Sequence, residues 1–348
     1  MRKHTDAIAP AIASVLPGSV LPSDGSGRRR GRAPREDRDG GAVAVVVAVA
    51  MVALMGAAAL AVDVGSLLSE RGQLQNGADA AAIAIAQACA GSATATACTS
   101  PATTAQTLAS SNTLAGAADV RSVTVSGGRA TVTLGKTVPT SFAAALGIMS
   151  KDVTASATAS WGSVASGPAV LPIAFASCVF TAKPQGTAED LLEKGVTDTS
   201  GGCTDSHNGL LLPGGFGWLD DPSGTCNLAS VVSGSSYTAS SKPGRSLPSN
   251  CGTVLNQYLG KTVLLPVFDS TAGNGANGSF HIAGWAGFQL LGWGFPSTNV
   301  NTTGDSSLRI PPNRNGLIGK FLGFTTLDDA FTMGATNPGY ATVVALTN

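Results

Sequence analysis

Apolar residues are concentrated in one place along this chain. Gly40 to Val62 reads GGAVAVVVAVAMVALMGAAALAV, 23 residues lying between Asp39 and Asp63 without a charge. About 20 apolar residues in a helix cross the hydrocarbon core of a bilayer. Only a helix satisfies its backbone hydrogen bonds within one segment there. The run predicts a transmembrane helix over residues 40–62. Beyond it the pattern becomes that of an amphipathic helix over 63–90. Asp63, Ser66, Glu70, Gln73 and Gly77 form one polar stripe, and Val64, Leu67, Leu74, Ala78, Ala81, Ile85 and Cys89 the opposite face. The stretch Ala78–Ala90 has little bulk and lets another element approach closely.

Periodicity then shortens. Residues 91–115 are Ala, Ser and Thr with Pro101, a linker or a weak helix from about 103. Val123, Val125, Ala130, Val132 and Leu134 alternate with Ser122, Thr124, Thr131 and Thr133 around Ser126-Gly127-Gly128-Arg129, which predicts a β-hairpin. Ser141–Ile148 reads as a short helix, and Lys151–Trp161 alternates again as a third strand. From about 167 the composition shifts to Gly, Pro, Ser, Asn and aromatics, with apolar runs at Ala169–Phe180, Lys261–Phe268 and His281–Phe295. The last run reads as a strand with glycine-permitted bends. Residues 1–39, rich in Pro, Gly, Ser and Arg without apolar period, read as a disordered basic tail. The expected fold class is α+β. A single N-terminal transmembrane helix (40–62) is extended by an amphipathic helix (63–90). A small antiparallel sheet domain (91–166) and a β-rich, disulfide-containing C-terminal region (167–348) follow.

Charge orients the span. The zero net charge hides eight bases against five acids in residues 1–39 and thirteen against sixteen in the remainder. Arg28, Arg29, Arg30, Arg32, Arg35 and Arg38 crowd the start of the apolar run. The positive-inside rule then places the N-terminus in the cytoplasm and residues 63–348 outside. The slightly acidic exterior carries no footprint of a nucleic-acid partner. Ala59-Leu60-Ala61 also has the small-x-small form of a signal-peptidase site. An apolar core of about 20 residues, however, exceeds the roughly 7–15 of a signal h-region.

All six cysteines, Cys89, Cys98, Cys178, Cys203, Cys226 and Cys251, lie on the predicted outer side. That distribution fits structural disulfides in an oxidising compartment. Cys89 and Cys98 are spaced to close a small loop after a helix, while the other four can pair in three ways. There is no C-x-x-C, and His207 near Cys203 is a single weak pair, so a zinc site is the poorer reading.

Within the span and helix, one set of residues carries a resemblance. Gly41-Ala42-Val43-Ala44-Val45 opens it, and Ala59-Leu60-Ala61-Val62-Asp63-Val64-Gly65 closes the membrane part. Arg71, Gln73-Leu74-Gln75-Asn76 and Ala78-Asp79-Ala80-Ala81-Ala82 complete it. Residues 38–90 resemble the N-terminal segment of TadE/TadG-like proteins of the tight-adherence (Flp) pilus system. The resemblance implies a single-pass membrane protein of a pilus-assembly or secretion apparatus. Its expected partners are the lipid bilayer and other Tad pilus-assembly or pseudopilin proteins. Gly41, Gly56, Asp63, Gly65, Arg71, Gln73, Gln75, Asn76 and Asp79 are the candidate membrane and partner-helix residues. Gly56 and Ala57–Ala59 offer a small-residue face to another span. Asp63 reads as a hydrated helix exit or as the partner of a base on a neighbouring helix. Gln73, Gln75, Asn76 and Asp79 either solvate the helix, contact the protein's own sheet or bind a partner's backbone. A pilin cut after Gly41 would carry Glu at its fifth position, but Val46 stands there, so an uncleaved anchor is expected.

Catalytic signatures are sparse. The sequence lacks G-x-S-x-G, H-E-x-x-H and a P-loop. His207 and His281 are the outer histidines, and neither sits in a catalytic pattern. Asp198-Thr199-Ser200 opens like a von Willebrand A metal motif, but Gly202 replaces its second Ser. Asp220-Asp221 and Asp328-Asp329 read as solvated turn residues in preference to calcium ligands. Phe216, Trp218, Trp285, Phe288 and Trp293 form either a recognition surface or, more simply, a core. No enzyme activity, cofactor, metal or small-molecule substrate is expected. The sequence describes a membrane-anchored extracytoplasmic structural or assembly protein of a Tad-type pilus or related secretion system. The alternative is a secreted or cell-surface β-rich adhesion module released after Ala61.

Overall fold

The structure, a computed structural model, describes residues 40–114, 118–182, 186–192, 204–205, 215–234, 237–242, 247–248, 250–273, 277–295, 298–311, 314–323, 325–337 and 339–347. The N-terminal tail, Asp198-Thr199-Ser200, Cys203 and His207 lie outside the described residues. The chain divides into two compact units, Met1–Gly56 and Ala57–Asn348.

In the first unit the described residues are all helical and begin helix α1 (Gly40–Gly91). Their side chains from Val43 onward are exposed, including Val45, Val49, Val52 and Leu54. A helix apolar on every face and uncovered by protein is suited to lipid. Among the described residues α1 is the one helix long and apolar enough to cross a membrane.

The second unit begins within α1 and builds an α+β fold. Helices α2 (Thr96–Thr99) and α3 (Pro101–Ser111) follow. Pro101 opens α3, where its missing N–H has no helical partner to lose. The Cys89–Cys98 disulfide, Cα atoms 5.0 Å apart, ties the end of α1 to α2. Strands β1 (Asp119–Ser126) and β2 (Arg129–Pro139) form the expected hairpin, closed by the Ser126–Arg129 pair. Gly127 and Gly128, at φ 57° and 72°, supply the two left-handed residues that a tight hairpin turn requires. Strand β3 (Ser150–Ala169) pairs antiparallel with β2 from Pro139–Ser150 to Arg129–Ser160. It is longer than its alternating sequence suggested, and runs on past residue 166.

The elements that follow are β4 (Ile173–Ala176), α4 (Ser177–Ala182), β5 (Glu189–Leu192), β6 (Phe216–Trp218), β7 (Leu228–Val232) and β8 (Tyr237–Ser240). Helix α5 (Cys251–Tyr258) precedes β9 (Thr262–Ala272), β10 (Ser279–Phe295), β11 (Thr298–Asn301) and β12 (Gly316–Leu322). The last strands are β13 (Thr325–Thr326), β14 (Thr332–Met333) and β15 (Thr342–Thr347). One sheet runs β1-β2-β3-β15-β13, with β7 and β14 also on β3. The other runs β5-β12-β10-β9-β4-β6, with β8 and β11 also on β10. The Cys226–Cys251 bond fastens the loop after β6 to the start of α5, and Cys178 is also disulfide-bonded.

Two apolar cores result. The smaller one joins Leu74, Ala78, Ala81, Ala82, Ile85 and Ala86 of α1 to Val132, Leu134, Ala155, Ala157 and Val344 of the first sheet. The larger one gathers Phe175, Phe216, Trp218, Trp285, Phe288 and Trp293 with their neighbours. These aromatics are therefore core and not a surface. Glycines within the strands make room for rings: a Cβ on Gly284 would lie 2.5 Å from the Tyr340 ring, and one on Gly319 2.3 Å from that of Phe288.

Trp285 is fully buried and its indole N–H has no hydrogen-bond partner among the described residues. Trp285→Ala should cost about 3–5 kcal/mol in denaturant unfolding of the detergent-solubilised chain. Trp285→Phe should cost clearly less, because it also removes the unbonded N–H. Equal losses would contradict this account.

Candidate partner site on the N-terminal helix

The resemblance residues fall into two groups on α1. One group faces the chain's own domain. Asp63 is buried at the foot of the β2–β3 connection. Its Oδ1 accepts the backbone N–H of Ser141 at 2.9 Å and of Phe142 at 3.2 Å. Its Oδ2 accepts those of Phe142 at 3.0 Å and Ala143 at 2.6 Å. These N–H groups open a 3₁₀ turn over Ala143–Leu146, and such leading donors have no partner within the turn. A carboxylate there satisfies them and complements their positive dipole. The N–H of Ala143, helped by those of Ser141 and Phe142, holds the Asp63 carboxyl below its usual range against the opposing effect of burial.

Two turns along the helix, Glu70 Oε2 lies 2.8 Å from Lys136 Nζ on β2, both largely shielded. Gln73 Oε1 accepts the Leu114 N–H at 2.8 Å. Gln75 Nε2 donates to Asp79 Oδ1 at 2.8 Å and to the Ser156 carbonyl of β3 at 3.3 Å. Gly77 is buried where α1 crosses α3 and β2: a Cβ there would lie 3.1 Å from Leu134 Cδ1 and 3.4 Å from Ala109 Cα.

The other group is open. Gly65, Arg71 and Asn76 are exposed, as are Val64, Leu68 and Gly72. A Cβ at Gly41, Gly56 or Gly65 would meet nothing within 4 Å.

This arrangement corrects the amphipathic assignment. The inward stripe is Asp63, Leu67, Glu70, Leu74, Gly77, Ala78, Ala81 and Ile85, drawn from both faces of the sequence reading. Val64, placed on the apolar face, is exposed. Near its start the helix meets backbone N–H groups and a lysine, so acidic side chains are the complementary ones. Only from Leu74 onward does it meet an apolar sheet. The sequence reading missed Lys136 and the Ser141–Ala143 amides. The second had a signal: Ser141 before an alanine run reads as a helix start, and a helix start needs an acceptor.

Elsewhere, Asp221 accepts N–H groups from Ser223, Gly224 and Cys226 and the Ser223 hydroxyl, folding its loop around itself. Burial pushes its carboxyl up, and these bonds outweigh that and hold it low. Asp269 Oδ1 lies 2.5 Å from His281 Nδ1 inside the second sheet. Burial, together with the Asp269 charge, pushes the nearby Tyr340 phenol up. No cluster of three metal-binding side chains occurs among the described residues.

Residues 41–88 match the family model described as putative Flp pilus-assembly TadE/G-like. No curated protein and no solved structure matches the chain. The matched window coincides with α1, from the apolar span to the edge of the Cys89–Cys98 loop. A pilus-assembly family segment and a helix able to span a membrane together support a pilus-associated membrane protein.

Two tests address the inward stripe. Gly77→Leu should destabilise by about 1–3 kcal/mol through overpacking, whereas Gly72→Ala, in open space, should gain up to about 1 kcal/mol from helix propensity. Denaturant midpoints of both variants check this. Because the folded Asp63 carboxyl titrates below its unfolded value, its contribution is complete above the unfolded value of about 3.9. It is lost as pH falls through the lower folded value. Amide exchange at Ser141–Ala143, corrected for intrinsic rate, should stay slow from pH 7 to about 5 and speed up below about 4. Asp63→Asn should abolish that pH dependence.

Proposed function

We propose that this chain is a membrane-anchored extracytoplasmic assembly protein of a Tad-type pilus or related secretion system. It acts by binding other proteins and not by catalysis. The observation that carries the reading is the coincidence of the TadE/G-like window with a helix only half covered by its own domain. Asp63, Glu70, Gln73 and Gln75 are engaged by the chain's own domain, and Asp79 by Gln75. What remains for a partner is the side carrying Val64, Gly65, Leu68, Arg71 and Asn76. Small residues there let a second helix come close, and Arg71 adds a charge for recognition. Within the span, Gly41 and Gly56 offer the same kind of approach to other membrane helices. The arginines before residue 40 place the N-terminus in the cytoplasm and the domain outside, where an oxidising compartment keeps the cysteines paired.

N-terminal sequencing and intact mass of the protein from its native membranes test the anchor. Retention of Ala42–Ala61 in the membrane fraction is the expected result. A soluble chain starting at Val62 would replace this reading with the secreted adhesion module, and a start at Ala42 would favour a pilin-like subunit. A photo-crosslinking amino acid at Leu68 should capture another membrane protein in the host, and one at buried Ala82 should not. Capture at neither would remove the proposed partner face.

A further inference from the structure

We infer that the β2–β3 connection, residues 141–149, is a second membrane contact that dips into the outer leaflet beside the transmembrane helix. The inference rests on residues 40–62 being the membrane anchor. Within the second unit, Phe142, Leu146, Ile148 and Met149 are 51, 79, 45 and 69 % exposed. They are four of the eight large apolar side chains exposed outside α1 among the described residues, yet they fall within eight positions of sequence. Soluble surfaces scatter such residues singly, and a cluster of them marks a contact.

This segment is a built structure. Ala145 N–H donates to the Phe142 carbonyl and Gly147 N–H to Ala144. Ile148 N–H donates to Ala143, and Thr140 N–H to Met149. Thr140 Oγ1 closes the loop on the Ile148 carbonyl. Gly147, at φ 87°, makes the left-handed turn that ends the 3₁₀ segment. Most of its backbone donors are thus engaged, while the large side chains are exposed. Irregular backbone is excluded from the hydrocarbon itself, so such a loop belongs in the interfacial layer, where water reaches its remaining polar groups while its side chains turn toward the acyl chains.

Asp63 fixes the height of this loop. Its carboxylate holds Ser141, Phe142 and Ala143 against α1. Asp63 follows the last span residue, Val62, by one position, about 1.5 Å of helix rise. The interfacial layer outside the hydrocarbon is roughly 5–7 Å deep on each side. A loop clamped at Asp63 therefore lies in that layer. Leu60, Val62 and Val64, which flank Asp63 in the helix, are themselves exposed and apolar. Loop and span each leave large apolar side chains uncovered by protein, so lipid is the occupant that suits both. Asp63 itself remains compensated by backbone donors, which is what permits a carboxylate at this depth.

The test uses the full chain in phosphatidylethanolamine–phosphatidylglycerol vesicles. A spin label is attached through a genetically encoded ketone side chain at Leu146, Met149, Leu54 or Leu327. Accessibility to oxygen and to a nickel chelate is measured by power saturation. The expected result is oxygen-favoured labels at Leu54 and, less deeply, at Leu146 and Met149, with Leu327 open to nickel. Labels at Leu146 and Met149 as nickel-accessible as Leu327, with Leu54 deep, would overturn the inference and leave the anchor standing. Labels there shielded from both reagents would also overturn it, in favour of a protein or a second copy covering the loop. A nickel-accessible Leu54 would remove the anchor, and this inference with it.

Discussion

The first sheet and the helix that carries it depend on the close packing of α1 against that sheet. Ala78, Ala81, Ala82 and Ala86 present almost no side chain, so the helix backbone settles directly on Val132, Leu134, Ala155 and Ala157. Bulk enters only at Leu74 and Ile85. At such short range each missing methyl is a lost contact and each extra one a clash. The interface is defined sharply by residues that look undistinguished on paper. The Cys89–Cys98 bond then anchors the far end of the helix, and the Asp63 carboxylate the near end. The helix is held at three levels by three different kinds of force: a covalent link, apolar contact and charge-assisted hydrogen bonds.

The distribution of polar groups follows from that arrangement. A helix leaving a membrane beside a folded domain must pass loop backbone before it reaches sheet. Loop backbone offers N–H donors and strand β2 a lysine, and the helix answers with Asp63, Gln73 and Glu70. Further on the sheet offers methyl groups, and the helix answers with alanine. The residues of the TadE/G-like window therefore support the chain's own domain on one side and, between residues 64 and 76, leave the other exposed.

How much of this could be read beforehand depended on how local each cause was. The apolar span, the Ser126–Arg129 hairpin, the strand after it and the loop closed by Cys89 and Cys98 are set within a few residues, and they stand where periodicity put them. The apolar face expected for α1 stands from Leu74 to Cys89, but the turns before it reverse, because there hydrophobicity does not mean inside. Asp63 and Glu70 point in and Val64 points out, a reversal decided by what lies opposite, 66 residues away in the case of Lys136. Strand β3 continues beyond Trp161 because β7, β14 and β15 arrive from distant sequence to pair with it. Nothing within its own residues announces them. The aromatics of the C-terminal region illustrate the opposite case, since their number alone argued for a core.

The return of β15 to β3 has a consequence for how the protein matures. Thr347 hydrogen-bonds Ser160 across 187 residues of chain. At synthesis rates of roughly 5–20 residues per second, β3 is finished about 10–40 s before its neighbour exists. During that interval it shows a bare row of peptide groups, a surface that captures any compatible strand. The alanine-rich helix is made before β3, but in the fold it covers the flat of the sheet, not its rim. Assembly of the first sheet is in this sense a wait with one side open, and whatever guards that rim in the interval shapes the yield of folded protein.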